Sequence, residues 1–205
     1  MTNSGAGRAS RLTPGRPRDP EATASILRVA LELGEESGFD GLTVEGIAAR
    51  AGVAKTTIYR RWPNAWAIVM DAFLAEVTRT APLQERATAR ESFAASMRLL
   101  ARAYRGRQGK ILRPLLGRAQ VDANLREAVR KRWVEPRRQV AREIIRRGIE
   151  SGELRTGLDA DVVLDALYGP FYHRLLAPYD NSAISDAYVD LLVDTVFRGL
   201  ERKPS

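Results

Sequence analysis

Lys55, Thr56, Thr57, Tyr59, Arg60 and Arg61 crowd around a single aliphatic side chain, Ile58. Short hydroxyls bond to base edges or touch the thymine methyl, while Lys, Arg and Tyr reach phosphate oxygens. These residue types, so close together, carry the chemistry of reading duplex DNA. Other chemistries have little to work with. The chain has no Cys, which removes a thiol nucleophile, a thiolate metal site and a disulfide scaffold. Its one His, His173, excludes a His-rich metal site, and a Ser-His-Asp triad would have to be built on that residue. No phosphate-binding loop and no carboxylate pair stands out. Neither enzymatic activity, nor a metal, nor a cofactor is expected.

Side chains of this kind need a short exposed helix docked on a second one. Thr43 is a good N-cap and Glu45 favours the positive end of the helix dipole, so a helix starts at Val44. Val44, Ile47, Ala48 and Ala51 give it one apolar stripe, and its small residues allow a close neighbour. Gly52 supplies the left-handed residue of a tight turn, and Val53 plugs the gap between the helices. Residues 43–62 therefore have the build of a helix-turn-helix, although spacing alone also fits a plain helical hairpin.

The stretch from about Ala22 to Ala72 resembles the tetracycline-repressor (TetR) family of bacterial transcriptional regulators. The likeness is carried by Gly38-Phe39-Asp40-Gly41-Leu42-Thr43-Val44, by Ile47-Ala48-Ala49-Arg50-Ala51-Gly52-Val53, and by the run from Lys55 to Pro63. It implies that Lys55, Thr56 and Thr57 face bases in the major groove. It implies that Tyr59 contacts phosphate with Arg60 or Arg61 beside it, and that Thr43 caps its helix and touches phosphate. Arg16 and Arg18, around Pro17, resemble the arms that such proteins lay in the minor groove. Three positions depart from the family pattern. Ala54 stands where a capping Ser is common. Gly46 stands where Glu would complete a capping box. Asn64-Ala65-Trp66 replaces a Ser-Lys-Glu; Asn64 can still cap, Ala65 cannot replace the Lys, and Trp66 is unusually large for a hinge.

The rest of the 205-residue chain reads as helix, about nine in all. The expected spans are about 21–37, 44–51, 55–62, 64–80, 84–105, 111–116, 122–151 (kinked at Pro136), 159–178 and 183–202. A basic linker is expected over 106–109. No apolar run approaches the roughly 20 residues that span a bilayer, and the N-terminus lacks the apolar core of a secretory signal. A cytoplasmic protein is expected. The formal charge is +8, but it is unevenly spread. Residues 1–18 hold four Arg and no acid, residues 79–155 hold 20 bases against 8 acids, and residues 156–205 hold 4 bases against 8 acids. Most of the positive surplus therefore lies far from the motif.

The fold class expected is all-α: an N-terminal three-helix helix-turn-helix domain, then a helical ligand-binding and dimerisation domain. Residues 1–18 read as a flexible basic arm, 19–64 as the DNA-binding domain and 65–205 as the second domain. Phe93, Met97, Tyr104, Leu116, Trp133, Phe171 and Tyr172 lie at helical spacing. They are core residues in the plain reading, and candidates for an effector pocket in a regulator. Val163, Leu167, Val189, Leu192, Val193, Val196 and Phe197 give the last two helices more apolar surface than one side needs, as a homodimer interface would. Asp186, Asp190 and Asp194 stripe the other face of the last helix. The expected partners are a palindromic DNA operator, a small-molecule effector and a second copy of the chain, with repression relieved by the effector. A second reading, a helical small-molecule-binding protein with lost or altered DNA recognition, rests on Ala54 and Ala65.

Overall fold

The computed structural model describes residues 20–177 and 184–201. The arm, with Arg16 and Arg18, lies outside them. Among the described residues all regular structure is helical, apart from one β-bridge between Leu154 and Glu201. The helices are α1 (Pro20–Ser37), α2 (Val44–Ala51), α3 (Lys55–Tyr59), α4 (Ala65–Thr80), α5 (Ala89–Arg105), α6 (Arg107–Ala119), α7 (Ala123–Val129), α8 (Glu135–Glu150), α9 (Ala160–Leu176) and α10 (Asp186–Phe197). A π-helical turn, Arg130–Val134, joins α7 to α8, so these two form one continuous helix and the count among the described residues is nine. None of these helices is long and apolar enough to cross a membrane.

The starts of most helices follow from local chemistry. Thr43, Asn64, Thr88, Asp122, Asp159 and Ser185 each accept a bond from a backbone amide of the helix they open. Each such cap contributes about 1 kcal/mol. Several boundaries differ from the sequence expectation: the third helix stops at Tyr59, the sixth runs on to Ala119, and the last covers only Asp186–Phe197. The fifth helix starts at Ala89, because Thr88 caps it. The sixth starts at Arg107, with no linker over 106–109. Gly109 makes that possible: a Cβ there would come within 1.9 Å of the Tyr104 carbonyl oxygen, so only Gly lets α6 fold back so tightly on α5. The chain bulges before Pro136, which sits in the first turn of α8. The π turn takes up the irregularity that a mid-helix Pro imposes.

Two apolar clusters form. The smaller gathers Ile26, Val29 and Ala30 of α1, Val44, Ile47 and Ala48 of α2, Ile58 of α3, and then Trp62, Ala65 and Ile68. The larger fills the bundle of α4 to α10, and takes in Leu31 of α1 and Phe39. Residue 64 is therefore not a break in packing. The first turn of α4 completes the small core, and Val69, Met70 and Phe73 enter the large one. Trp66, in the first turn of α4, packs on Phe39 of the link after α1 with ring centroids 6.4 Å apart.

The basic middle of the chain is largely neutralised inside the fold. On α5, Arg90 pairs with Asp194, Arg98 with Asp190, and Arg102 and Arg105 with Asp186. The Asp stripe of α10 thus zips onto the Arg stripe of α5. Arg138 and Arg142 of α8 share Asp161 of α9. These pairs are exposed or partly exposed, so each adds little net stability. Their main effect is on register and on surface potential.

Candidate nucleic-acid interface

The helix-turn-helix is set by a few residues. Gly52 ends α2 in the left-handed conformation, with φ of 67° and ψ of 31°. A Cβ there would meet nothing within 4 Å, so backbone conformation alone requires Gly. Thr43 accepts from the Gly46 amide at 3.1 Å. Ala54 provides no side-chain cap for α3. Ile58 is fully buried and anchors α3.

The opposite side of α3 is left to solvent. Lys55, Thr56, Tyr59 and Arg60 are exposed, and Thr57 is half-buried at the α1 side. Glu45 of α2 faces two of them: its Oε1 lies 3.7 Å from Lys55 Nζ and accepts from the Tyr59 hydroxyl at 3.3 Å. Its own backbone amide bond, helped by Lys55 and Tyr59, holds the Glu45 carboxyl below its ordinary range. Desolvation, with the Glu45 charge next, pushes the Tyr59 phenol up. Tyr59 is therefore a neutral hydroxyl that can donate to a phosphate oxygen. Arg61 turns toward α1, where it donates to Thr23 Oγ1 at 2.8 Å and lies 4.6 Å from the Trp62 ring centroid. Thr43 remains exposed at the α2 N-terminus. Of the sequence-predicted set, Glu45 brings Lys55 and Tyr59 together, Thr57, Arg60 and Arg61 line a crevice with Ala22 and Thr23 of α1, and Thr43 and Thr56 are exposed. Arg16 and Arg18 lie outside the described residues.

Sequence reasoning missed the connections behind that face. The Trp62 indole N–H donates to Asp71 Oδ2 at 2.8 Å. Asp71 Oδ1 is 2.6 Å from Arg132, in the π turn. Arg107 of α6 bridges Glu35 of α1 and Glu76 of α4. A lone acid in the otherwise apolar first half of α4 was the available signal for Asp71. Nothing in the sequence named its two partners.

The residues proposed for an effector pocket form part of the large core. Phe93, Met97, Tyr104, Trp133 and Phe171 are buried, and Leu116 and Tyr172 pack at its edge. They are packed together and do not line an open cavity. Tyr172 alone of the seven lines a crevice, of about 40 Å³, shared with Leu100, Val134, Arg137, Arg138 and Tyr168. The proposed interface residues divide too. Val163, Leu167, Val189, Val193 and Phe197 are buried in the protomer's own core, because α9 and α10 close over α8 and α5. That part of the expectation is corrected: these five are core residues. Leu192 and Val196 are half-buried. What faces outward is a different stripe: Val162, Ala166 and Gly169 of α9, with Ala187, Leu191 and Thr195 of α10. Val162 and Leu191 are both 65 % exposed. Among the described residues no cluster of His, Cys, Asp and Glu could hold a metal ion.

Comparison with known proteins agrees with this architecture. Residues 26–68 match the model of bacterial regulatory proteins of the tetR family. Residues 83–196 match the tetracyclin repressor-like C-terminal domain. The chain is 40% identical over 187 residues to the uncharacterized HTH-type transcriptional regulator YdeS of Bacillus subtilis (strain 168), covering 91% of this chain and 93% of that one. It superposes on the TetR family transcription regulator SCO0332 with a TM-score of 0.72 at 34% identity, over 90% of this chain and 100% of the other. It also superposes on the transcriptional regulator FadR of Bacillus subtilis, solved with stearoyl-CoA, with a TM-score of 0.67 at 25% identity, over 83% and 97%. The chain is a DNA-binding transcriptional regulator, and it belongs to the TetR family.

Proposed function

We propose that the protein is a cytoplasmic, non-enzymatic, homodimeric repressor that a small-molecule effector releases from a palindromic operator. The observation that carries this is the exposed α3 face, with Lys55, Thr56, Tyr59 and Arg60 free of the core. In this reading Thr56, Thr57 and Lys55 read bases in the major groove. Tyr59, Arg60, Arg61 and Thr43 hold phosphates, and Arg16 and Arg18 reach the minor groove. Two copies pair through the outward stripe of α9 and α10, which is small and apolar and carries Val162 and Leu191. The effector acts in the helical half; the stearoyl-CoA complex of FadR supports a ligand there. Coupling runs through α4, which joins Trp62 to the π turn by way of Asp71.

The test is fluorescence anisotropy of DNA from upstream of the protein's own gene, titrated at several salt concentrations. Binding is expected to prefer one sequence and to fall in Thr56→Ala and Tyr59→Ala. Five bases per protomer (Arg16, Arg18, Lys55, Arg60 and Arg61) predict a log–log salt slope of about −4.5 for each protomer. Binding without sequence preference, or unchanged by both substitutions, would overturn the reading and favour a ligand-binding protein with lost DNA recognition. A much steeper slope would mean that the paired Arg side chains of α5 and α8 also meet DNA.

A further inference from the structure

Four buried side-chain polar atoms among the described residues have no hydrogen-bond partner: Glu76 Oε2, Tyr104 Oη, Trp133 Nε1 and Arg137 Nη2. Three of them share one neighbourhood between α5, the π turn with α8, and α9. The Arg137 guanidinium lies 4.5 Å from the centroid of the Trp133 ring. The Tyr104 ring is 6.4 Å from the Tyr172 ring. Arg137 and Tyr172 line the same small crevice, with Leu100, Val134, Arg138 and Tyr168. Tyr104 is 1 % exposed and Trp133 is 4 % exposed. Unpaired buried polar atoms are rare in protein interiors because low dielectric makes each one costly. Three in one cluster call for a common cause.

All three are donors. An indole N–H and a guanidinium N–H can do nothing else. The Tyr104 phenol stays protonated, because burial pushes it well above its ordinary range; burial pushes its neighbour Tyr168 up to about 12. Trp133 Nε1 and Arg137 Nη2 lack an acceptor, while the Tyr104 phenol has only the Tyr172 hydroxyl beside it. Arg137 also lacks an anion. Its Nη1 donates to the Ala81 carbonyl at 2.9 Å, and no carboxylate pairs with it among the described residues. The adjacent Arg138, by contrast, holds Asp161 and Asp165. A cationic fork with a phenol and an indole N–H beside it complements a carboxylate. The volume of about 40 Å³ suits a group of that size, and Leu100, Val134 and the two Tyr rings offer apolar contact to a hydrocarbon body.

We propose that the crevice between α5, α8 and α9 is the head-group site for a small organic carboxylate, gripped by Arg137 at its wall, with the Tyr104 and Trp133 donors packed behind that wall. This deepens the effector reading above and rests on it only for the consequence at DNA. The site also lies next to the coupling route, since Trp133 follows Arg132, the partner of Asp71.

The test uses the full chain without DNA, read by isothermal calorimetry and by tryptophan fluorescence. The probes are benzoate and octanoate, their neutral amides benzamide and octanamide, and inorganic phosphate. At least one acid is expected to bind at least about tenfold more tightly than its amide, a difference of about 1.4 kcal/mol. Phosphate is expected to bind more weakly than that acid. Arg137→Met should weaken the acid at least about tenfold and leave the amide unchanged. Tyr104→Phe keeps the ring in place, removes one donor, and should weaken the acid severalfold without loss of folding. Equal affinity for acid and amide, acid binding untouched by both substitutions, phosphate matching the acids, or no acid binding at about 10 mM would each overturn the proposal. Anisotropy on operator DNA is then run with the bound acid. Acid binding that leaves DNA affinity unchanged would uphold the head-group site and remove the effector reading.

Discussion

Asp71→Ala should be the most informative single change outside the DNA-binding face. Asp71 is held from two sides, by the Trp62 indole N–H at 2.8 Å and by Arg132 at 2.6 Å. The two contacts differ in weight because their partners differ in burial. Trp62 is 3 % exposed, so removing its acceptor strands a buried donor, at a cost of about 1–3 kcal/mol. The Arg132 side chain is 48 % exposed and can turn to water, so that contact contributes about 0–1 kcal/mol. The sum for Asp71→Ala is about 1–4 kcal/mol. Asp71→Asn keeps an oxygen for the indole and should cost about half as much. Arg132→Ala should cost less than about 1 kcal/mol. With a urea dependence of about 2–3 kcal/mol/M, Asp71→Ala moves the unfolding midpoint down by about 0.3–2 M. The assay is urea unfolding at one fixed protein concentration, because self-association would shift the midpoint. Trp62→Phe closes a double-mutant cycle: once the donor is gone, Asp71→Ala should cost only the Arg132 part, below about 1 kcal/mol. An Arg132→Ala effect equal to that of Asp71→Ala would refute the argument. So would an Asp71→Ala cost that stays the same in the Trp62→Phe background.

Gly52→Ala should destabilise by about 1–2 kcal/mol in thermal unfolding, from left-handed backbone strain alone, since its Cβ would meet nothing; no change would mean that the turn adapts. Gly109→Ala should do more, because its Cβ would strike the Tyr104 carbonyl oxygen at 1.9 Å; circular dichroism should show a lower melting point than for Gly52→Ala, and the reverse order would count against the close-approach argument. Glu45→Gln frees Lys55 and Tyr59 from a carboxylate, so anisotropy should report tighter binding to non-specific DNA; weaker binding would mean that Glu45 positions these groups for DNA. Glu127 accepts from Arg130 and Lys131, which hold its carboxyl down at about 2. A depressed folded value means that its stabilisation is present above the ordinary carboxylate range and fades as pH falls through about 2. A carbon-13 titration of its carboxyl should therefore have its midpoint near 2, and a midpoint near 4.5 would show that the two pairs do not persist in solution.

The fold and the helix-turn-helix were legible because both are written in local chemistry. Thr43, Asn64 and Asp159 are short-range caps, Gly52 is a backbone requirement, and Ile58 marks the buried side of α3 by periodicity. Periodicity does not say what an apolar face packs on. Val163, Leu167, Val189, Val193 and Phe197 had the pattern of an interface, yet the protomer uses them to seal its own core. The stripe left outside, with Ala166, Gly169 and Ala187, is inconspicuous in sequence because small residues carry little apolar signal. The aromatic set behaved likewise: helical spacing found Tyr104, Trp133 and Tyr172, but Arg137, which lines the crevice beside them, reads in sequence as one more Arg in a basic helix. The departure at α6 had a different cause, since the need for Gly109 arises only when α6 folds back on α5.

Charge pairing bears on which part of the protein can move. The Arg stripe of α5 is spent on Asp186, Asp190 and Asp194 of α10, and α8 is joined to α9 through Asp161. These helices are fastened to each other within the bundle. The small core meets the bundle through α4, which contributes Ala65 and Ile68 to one cluster and Val69, Met70 and Phe73 to the other. Polar links hold the middle of α4: Asp71 ties it to Trp62 and Arg132, and Glu76 is tied to Arg107, which also holds Glu35 of α1. A shift of α4 alone would break one of these links. A shift of α1 to α4 as a unit would strain the contacts to Arg132 and Arg107 and would also slide Val69, Met70 and Phe73 against the bundle core. The Arg132 and Arg107 side chains are both partly exposed, and their ion pairs are weak enough to exchange. A ligand in the proposed crevice that displaced the π turn would act on α4 first through Arg132, the partner of Asp71. Motion of the recognition unit as a whole would keep the small core and the Trp62–Asp71 bond intact, whereas bending within it would not.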